Sequence, residues 1–313
     1  RELKFGVAYL DDAFGGIVPN DLVLLGARSN VGKTALATII AQGNAAAGKR
    51  VTYFALEAEE REIERRMKYA IIAGKVFDRG TWQQRDRMGF RDWWRGKLDD
   101  FIEPFEVEAD AEVAKRFATM ETYYRGIDFN IDHLERMFRA VQDRSDLIIL
   151  DHLHYVDIDA DQSENQAYKA VVKKIRDISL TIGVPVLVIA HLRKKTIGSK
   201  SLAPDLDDFH GTSDITKIAT KCVLLSPAYD QATTKPWLWK TYVTIPKDRM
   251  DGSNRNFAAL MAFNARTGMY EADYELGRFT PGNEKFATLS AGDMPRWAIH
   301  PPANSRVPGG DDE

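Results

Sequence analysis

Short unbroken apolar runs punctuate the chain at Leu22–Leu25, Val51–Leu56, Leu147–Leu150, Val184–Ala190, Cys222–Leu225 and Tyr242–Ile245. Each has the length of a strand buried on both faces, the kind found in a parallel sheet sandwiched between helices. Between the runs, Lys33–Ala46, Glu59–Ile72, Ile131–Asp143 and Asn165–Thr181 predict helices; in the last, Val171, Val172, Ile175, Ile178 and Ile182 fall close to helical spacing. The alternation predicts an α/β fold, a mostly parallel central sheet with flanking helices. Phe257–Asn264 and Met269–Glu271, on either side of Gly268, predict a closing C-terminal β-hairpin.

Two stretches break the alternation. Residues 74–130 are rich in charge and carry Trp82, Trp93, Trp94, Tyr123 and Tyr124, which predicts a mostly helical insertion whose aromatics pack on the core edge or face a partner. Beyond residue 272, Pro281, Pro295, Pro301, Pro302 and Pro308 and the ending Gly309-Gly310-Asp311-Asp312-Glu313 predict an irregular tail over 273–313. The expected organisation is one principal domain over 1–272 plus that tail. No internal repeat is apparent.

Composition narrows the function classes. A formal net charge of -3 over 313 residues excludes a chain-wide basic field, so nucleic-acid contact would need a local patch. A single cysteine, Cys222, excludes a disulfide within the chain and suits a reducing cytoplasm. The apolar runs are too short for a membrane-spanning helix, and the charged start (Arg1, Glu2, Lys4) does not read as a signal segment. The first residue is Arg rather than Met, which leaves room for an upstream domain.

The strongest chemical signal is Ala27-Arg28-Ser29-Asn30-Val31-Gly32-Lys33-Thr34-Ala35, between a strand and a helix start. It fits a phosphate-binding loop (P-loop) with Ala27 in the place of the first glycine. Backbone N–H groups of such a loop converge on phosphate oxygens, and Gly32 permits the close approach. The positive end of the following helix favours the anion. Lys33 supplies a point charge to the β- and γ-phosphates, and the Thr34 hydroxyl ligates Mg²⁺. Leu147–Asp151 is an apolar strand ending in an acid, the form that delivers a carboxylate to that metal. Phe54-Ala-Leu-Glu57 ends a second strand in an acid, making Glu57 the candidate to polarise the attacking water; Glu59 and Glu60 read instead as first-turn helix acids. The expected ligands are therefore ATP and Mg²⁺.

Together with Gly6-Val-Ala-Tyr-Leu-Asp11 and Gly15-Gly16, these segments resemble the RecA-like motor domain of replicative hexameric DNA helicases of the DnaB type, including bacteriophage versions, over roughly residues 5–272. The resemblance implies a RecA-like P-loop NTPase core. It also implies Glu57 as catalytic glutamate and Asp151-His-Leu-His as the Walker-B segment. Val186–Arg193 looks like the segment carrying a γ-phosphate-sensing Gln, with His191 in its place; the bland alternative is a strand-end histidine satisfied locally. Lys247-Asp-Arg249-Met-Asp-Gly252 looks like the segment that reaches a neighbouring subunit's site, with Arg249 as arginine finger and Lys247 as companion, unless it is a solvated basic turn. DNA-facing loops would be Asp157–Gln166, which is acidic, and Lys194–Asp214; Arg193, Lys194, Lys195 and Lys200 form the candidate basic patch, or else a solvated loop. His152, His154, His191 and His210 match no closed zinc pattern.

The expected function is an ATP-driven DNA helicase or translocase on single-stranded DNA. A homo-oligomeric, hexameric ring in the cytoplasm of a bacterial or phage-infected cell is implied, with a primase or loader as possible partner. The alternative class is an ATP-switched assembly or recombination-mediator ATPase of the RecA/KaiC kind.

Overall fold

In the computed structural model, the described residues are 2–27, 31–126, 129–158, 163–192, 213–253, 257–280 and 284–300, with 202, 206, 282 and 302 as single positions. The strands are β1 (Leu22–Ala27), β2 (Val51–Ala55), β3 (Met120–Tyr124), β4 (Leu147–Asp151), β5 (Val186–His191), β6 (Lys221–Pro227), β7 (Leu238–Asp248), β8 (Ala258–Asn264), β9 (Met269–Phe279) and β10 (Phe286–Thr288). The helices are α1 (Ala8–Phe14), α2 (Lys33–Ala46), α3 (Glu62–Arg79), α4 (Trp82–Arg87), α5 (Phe90–Trp94), α6 (Glu103–Phe117), α7 (Ile131–Val141), α8 (Glu164–Ile182) and α9 (Ser213–Ile218). All ten strands join one sheet in the order β10-β9-β8-β7-β6-β1-β5-β4-β2-β3.

The apolar runs explain the centre of this sheet. Side chains of a strand alternate between faces. Val23, Leu25, Tyr53, Ile149, Leu187 and Ile189 therefore pack with α1 and α2 in one buried cluster. Leu22, Leu24, Phe54, Ile148, Leu150 and Val188 pack with α7 and α8 in another. Each fully buried aliphatic side chain contributes roughly 1.5–3 kcal/mol, so this double-sided burial dominates the stability of the parallel half, β6-β1-β5-β4-β2-β3. A buried ion pair also ties β6 to β1: Lys221 Nζ donates to Asp21 Oδ2 at 2.6 Å, and Thr220 Oγ1 donates to Asp21 Oδ1 at 2.7 Å.

Three expectations need correction. First, the region 74–130 is helical but includes β3, which pairs in parallel with β2 and covers the sheet edge. Met120-Glu-Thr-Tyr-Tyr124 is only half-buried, so it lacks the apolar run that marks a central strand. Second, α3 starts at Glu62 rather than Glu59, because Arg61 takes a left-handed conformation (φ 63°), and it runs past residue 74 to Arg79. Its Tyr69, Ile72 and Val76 pack with Leu98, Ile102 and Ala109 in a cluster of their own. Third, the hairpin is part of an antiparallel meander, β7-β8-β9-β10, so residues 273–288 extend the sheet rather than form a tail. Phe286 packs on Tyr242 with ring centroids 5.0 Å apart, and Trp297 lies against Tyr9 and Phe257.

Candidate nucleotide-binding cleft

Parallel strands present their carboxyl ends at one edge of the sheet, where an α/β fold opens its ligand crevice. β1 and β5 run in register to Ala27 and His191, and β2 and β4 to Ala55 and Asp151. The chain then turns from β1 into α2. Gly32 is the N-cap of α2 at φ 91°, a left-handed conformation that only glycine adopts without strain. A Cβ there would also face the Tyr270 hydroxyl at 3.7 Å. The residues Gly32, Lys33, Thr34, Ala35, Glu57, Asp151 and His191 line one cleft of about 1120 Å³. Ala27 and Val31 belong to the same turn, whereas Arg28, Ser29 and Asn30 lie outside the described residues.

Asp151 is the most constrained group in the cleft. Its Oδ2 accepts from the Tyr53 hydroxyl at 2.7 Å, and the Thr34 side chain also hydrogen-bonds to it. Burial pushes its carboxyl up to about 6, the nearby Glu57 charge adds to this, and Tyr53, Thr34 and Lys33 oppose it. Its Oδ1 is buried without a hydrogen-bond partner. A buried orphan oxygen beside a threonine hydroxyl is the hard-oxygen donor set that Mg²⁺ takes, so Asp151 and Thr34 fit the ion expected of them. Lys33 is buried, which lowers its ammonium pKa, while the Glu57 and Asp151 charges pull it back up.

His191 is half-buried at the tip of β5, with Lys33 Nζ 3.0 Å from its Nδ1. An ammonium has only N–H to offer, so Nδ1 accepts and the ring proton sits on Nε2. His191 is thus a neutral donor. His152, next after Asp151 across a cis peptide bond, stacks edge-on against His191 at 4.2 Å between ring centroids. Burial, with further contributions from His191, His154 and Lys33, pushes the His152 imidazole down to about 2. Its Nδ1 accepts from the His154 backbone N–H at 3.3 Å, and its Nε2 lies 2.9 Å from Glu57 Oε2. Glu57, His152 and His191 bring potential ligand atoms within 4.8 Å of one another. Both imidazoles accept at Nδ1, however, so each turns a proton-bearing Nε2 outward, which is a donor and not a ligand lone pair.

The remaining sequence candidates fall elsewhere. Lys247 Nζ donates to the Thr216 and Lys217 carbonyls at 2.6 and 2.9 Å, closing the end of α9. That corrects its expected reach toward a neighbour: the ammonium is already used within its own chain, and burial lowers its pKa. Arg249 is exposed, and its backbone N–H bonds to Thr220, whose own N–H bonds to Leu22. Arg249 therefore sits at the start of β1 and the cleft at its end. A strand of this length separates its ends by about 17 Å. Arg193, Lys194, Lys195, Lys200 and His210 lie outside the described residues.

Sequence reading missed several cleft residues. Tyr53, inside an apolar run, aims its hydroxyl at Asp151. Arg66 from α3, Phe90 and Arg91 from α5, and Trp239 and Phe263 from the meander form the outer wall. Only an exposed tryptophan at the head of β7, Trp239, carried any signal of this.

With this geometry in view, the comparisons are decisive on kinship. A family model described as the DnaB-like helicase C terminal domain matches residues 3–271. The chain belongs to that family. Among solved structures it is similar to the ATPase domain of a phage protein (TM-score 0.67, 15% identity, covering 93% of this chain and 92% of that one). It is also similar to a DnaB-like replicative helicase studied with its primase interactions (TM-score 0.66, 17% identity), covering 86% of this chain but only 61% of that one. A third likeness is to the KaiC-like protein PH0186 from the archaeon Pyrococcus horikoshii OT3 (TM-score 0.54, 18% identity, covering 86% and 97%). At such identities these likenesses speak for the RecA-like fold. No curated protein sequence matches the chain. No helix among the described residues is long and apolar enough to cross a membrane.

Proposed function

We propose that this chain is the ATP-hydrolysing motor of a helicase that moves on single-stranded DNA as a ring of identical subunits. The observation that carries this reading is the convergence of Lys33, Thr34, Glu57, Asp151 and His191 on one cleft, in a chain of the DnaB-like helicase family. In this reading the loop ending in Gly32 and the N-terminus of α2 hold the triphosphate, and Lys33 leaves His191 to pair with it. Mg²⁺, held by Thr34 and Asp151, would neutralise phosphate charge. Glu57 orients and deprotonates the attacking water, and His191 Nε2–H donates to a γ-phosphate oxygen. Arg249 serves the cleft of the adjacent subunit, since it lies at the far end of the sheet from its own. The strand-end loops at 157–166 and 193–214 would carry the DNA contacts. A primase or loader is a candidate partner, by analogy with the helicase whose primase interactions have been described.

The KaiC-like neighbour favours a second reading, in which ATP controls assembly without unwinding. ATPase activity measured with and without single-stranded DNA, beside the mass of the ATP-bound assembly, separates the two. Turnover stimulated by DNA in a closed ring is expected, with loss in Lys33→Ala. Turnover indifferent to DNA would support the assembly switch, and turnover surviving in Lys33→Ala would remove the hydrolytic reading.

A further inference from the structure

The catalytic candidate Glu57 is nearly half exposed, with 45% of its side chain accessible, whereas the imidazole beside it is 1% accessible. A long, exposed carboxylate samples several rotamers, and a general base that wanders loses rate steeply; misplacement of about 1 Å costs on the order of 10²-fold. Something rigid must hold it. Its own backbone contributes little, because the Glu57 N–H bonds to the Asp151 carbonyl at 3.3 Å and leaves the side chain free.

His152 has the properties of such a holder. Its ring is clamped between the His191 and Tyr155 rings, at 4.2 and 4.8 Å between centroids. Its tautomer is set by the His154 backbone N–H, which donates to Nδ1 and leaves the proton on Nε2. That Nε2 is buried without an aligned acceptor of its own, and Glu57 Oε2 is 2.9 Å away. A buried N–H left unpaired is costly. The immobile imidazole cannot turn to relieve this, but the exposed carboxylate can. Aligning Glu57 with Nε2–H satisfies both groups at once.

We infer that His152 is a positioning residue for hydrolysis, a neutral N–H donor that holds the Glu57 carboxylate in one orientation over the cleft. The inference rests on the proposed role of Glu57. A neutral donor suits the task better than a cation, which would stabilise the carboxylate charge and weaken its basicity. The second carboxylate oxygen stays free to take the proton from water.

The test is steady-state ATPase kinetics of the full chain with Mg²⁺–ATP, with nucleotide affinity measured separately by a fluorescent ATP analogue. His152→Phe keeps ring volume and removes the donor, while His152→Gln keeps a neutral N–H. Expected is a fall in kcat of about 10- to 100-fold for His152→Phe, with KM and analogue affinity within about twofold of the parent and substantial recovery in His152→Gln. In a Glu57→Gln background, single-turnover hydrolysis should lose nothing more on adding His152→Phe, because the two changes act through one group. Undiminished kcat in His152→Phe would overturn the inference alone. So would equal losses in both backgrounds, or a parallel loss of analogue affinity that His152→Gln fails to restore. Full turnover in Glu57→Gln would instead overturn the proposed base, and the inference with it.

Discussion

His191 occupies the position where the family carries a phosphate-sensing glutamine, and its ring chemistry decides whether it can do the same work. Glutamine offers a fixed N–H donor at any pH. Histidine offers one only when its tautomer is set, and here Lys33 sets it by occupying Nδ1 at 3.0 Å. When Lys33 turns to a phosphate, Nδ1 is released and the ring can still donate from Nε2. His191→Gln should therefore retain most ATPase turnover, whereas His191→Ala should lose it by on the order of 10²-fold, the usual consequence of removing one transition-state donor. Equal, parent-like rates for the two variants would show that the ring is merely a satisfied strand-end side chain. The sequence made His191 visible because it follows an apolar run at a strand tip. It did not make visible the three-way contact among His191, His152 and Lys33, because that contact joins residues far apart along the chain.

Among elements, legibility followed hydrophobic contrast. The central strands are buried on both faces and stand out as apolar runs, and Asp151 and Glu57 were readable because each follows such a run. α2 begins at Lys33, where Gly32 and the phosphate loop require it. β3 and β9 were hidden because edge and meander strands are wet on one side, so charged residues such as Glu121, Glu271, Asp273 and Glu275 interrupt them. The strand β10 was masked by its proline-rich neighbourhood. Its pairing makes a demand on one residue: Gly277 lies so close that a Cβ would come 2.6 Å from the Ala287 carbonyl oxygen and closer still to the Phe286 ring. Gly277→Ala should thus pry β10 from β9 and destabilise the fold by about 1–3 kcal/mol, read from urea unfolding, with faster amide exchange at 286–288. The cleft lies at the opposite end of the meander, near Gly268, so ATP affinity should persist. Unchanged stability would mean that residues 286–288 do not pack as described.

At the scale of the whole molecule, the sheet separates two functions that one site needs. Lys33, Thr34, Glu57 and Asp151 gather at the carboxyl ends of the strands, and Arg249 is anchored through Thr220 to the start of β1. With about 17 Å of strand between them, an arginine side chain cannot bridge the two ends of one subunit without dismantling the sheet. If Arg249 stabilises phosphoryl charge, it does so in another copy. Lys247, bonded to the Thr216 and Lys217 carbonyls, then braces the segment that presents it. This division has a consequence that no single-variant experiment captures. Lys33→Ala subunits lack a nucleotide-competent cleft but still offer Arg249; Arg249→Ala subunits bind nucleotide but offer nothing to their neighbour. Each preparation alone should be nearly inactive. Mixed and allowed to reassemble, they form some junctions that pair an intact cleft with an intact Arg249, so ATPase activity should reappear at a fraction set by random assortment. A mixture that exchanges subunits, as shown by mass, and yet stays inactive would exclude a shared site. An Arg249→Ala preparation that is fully active alone would remove the residue from the chemistry altogether.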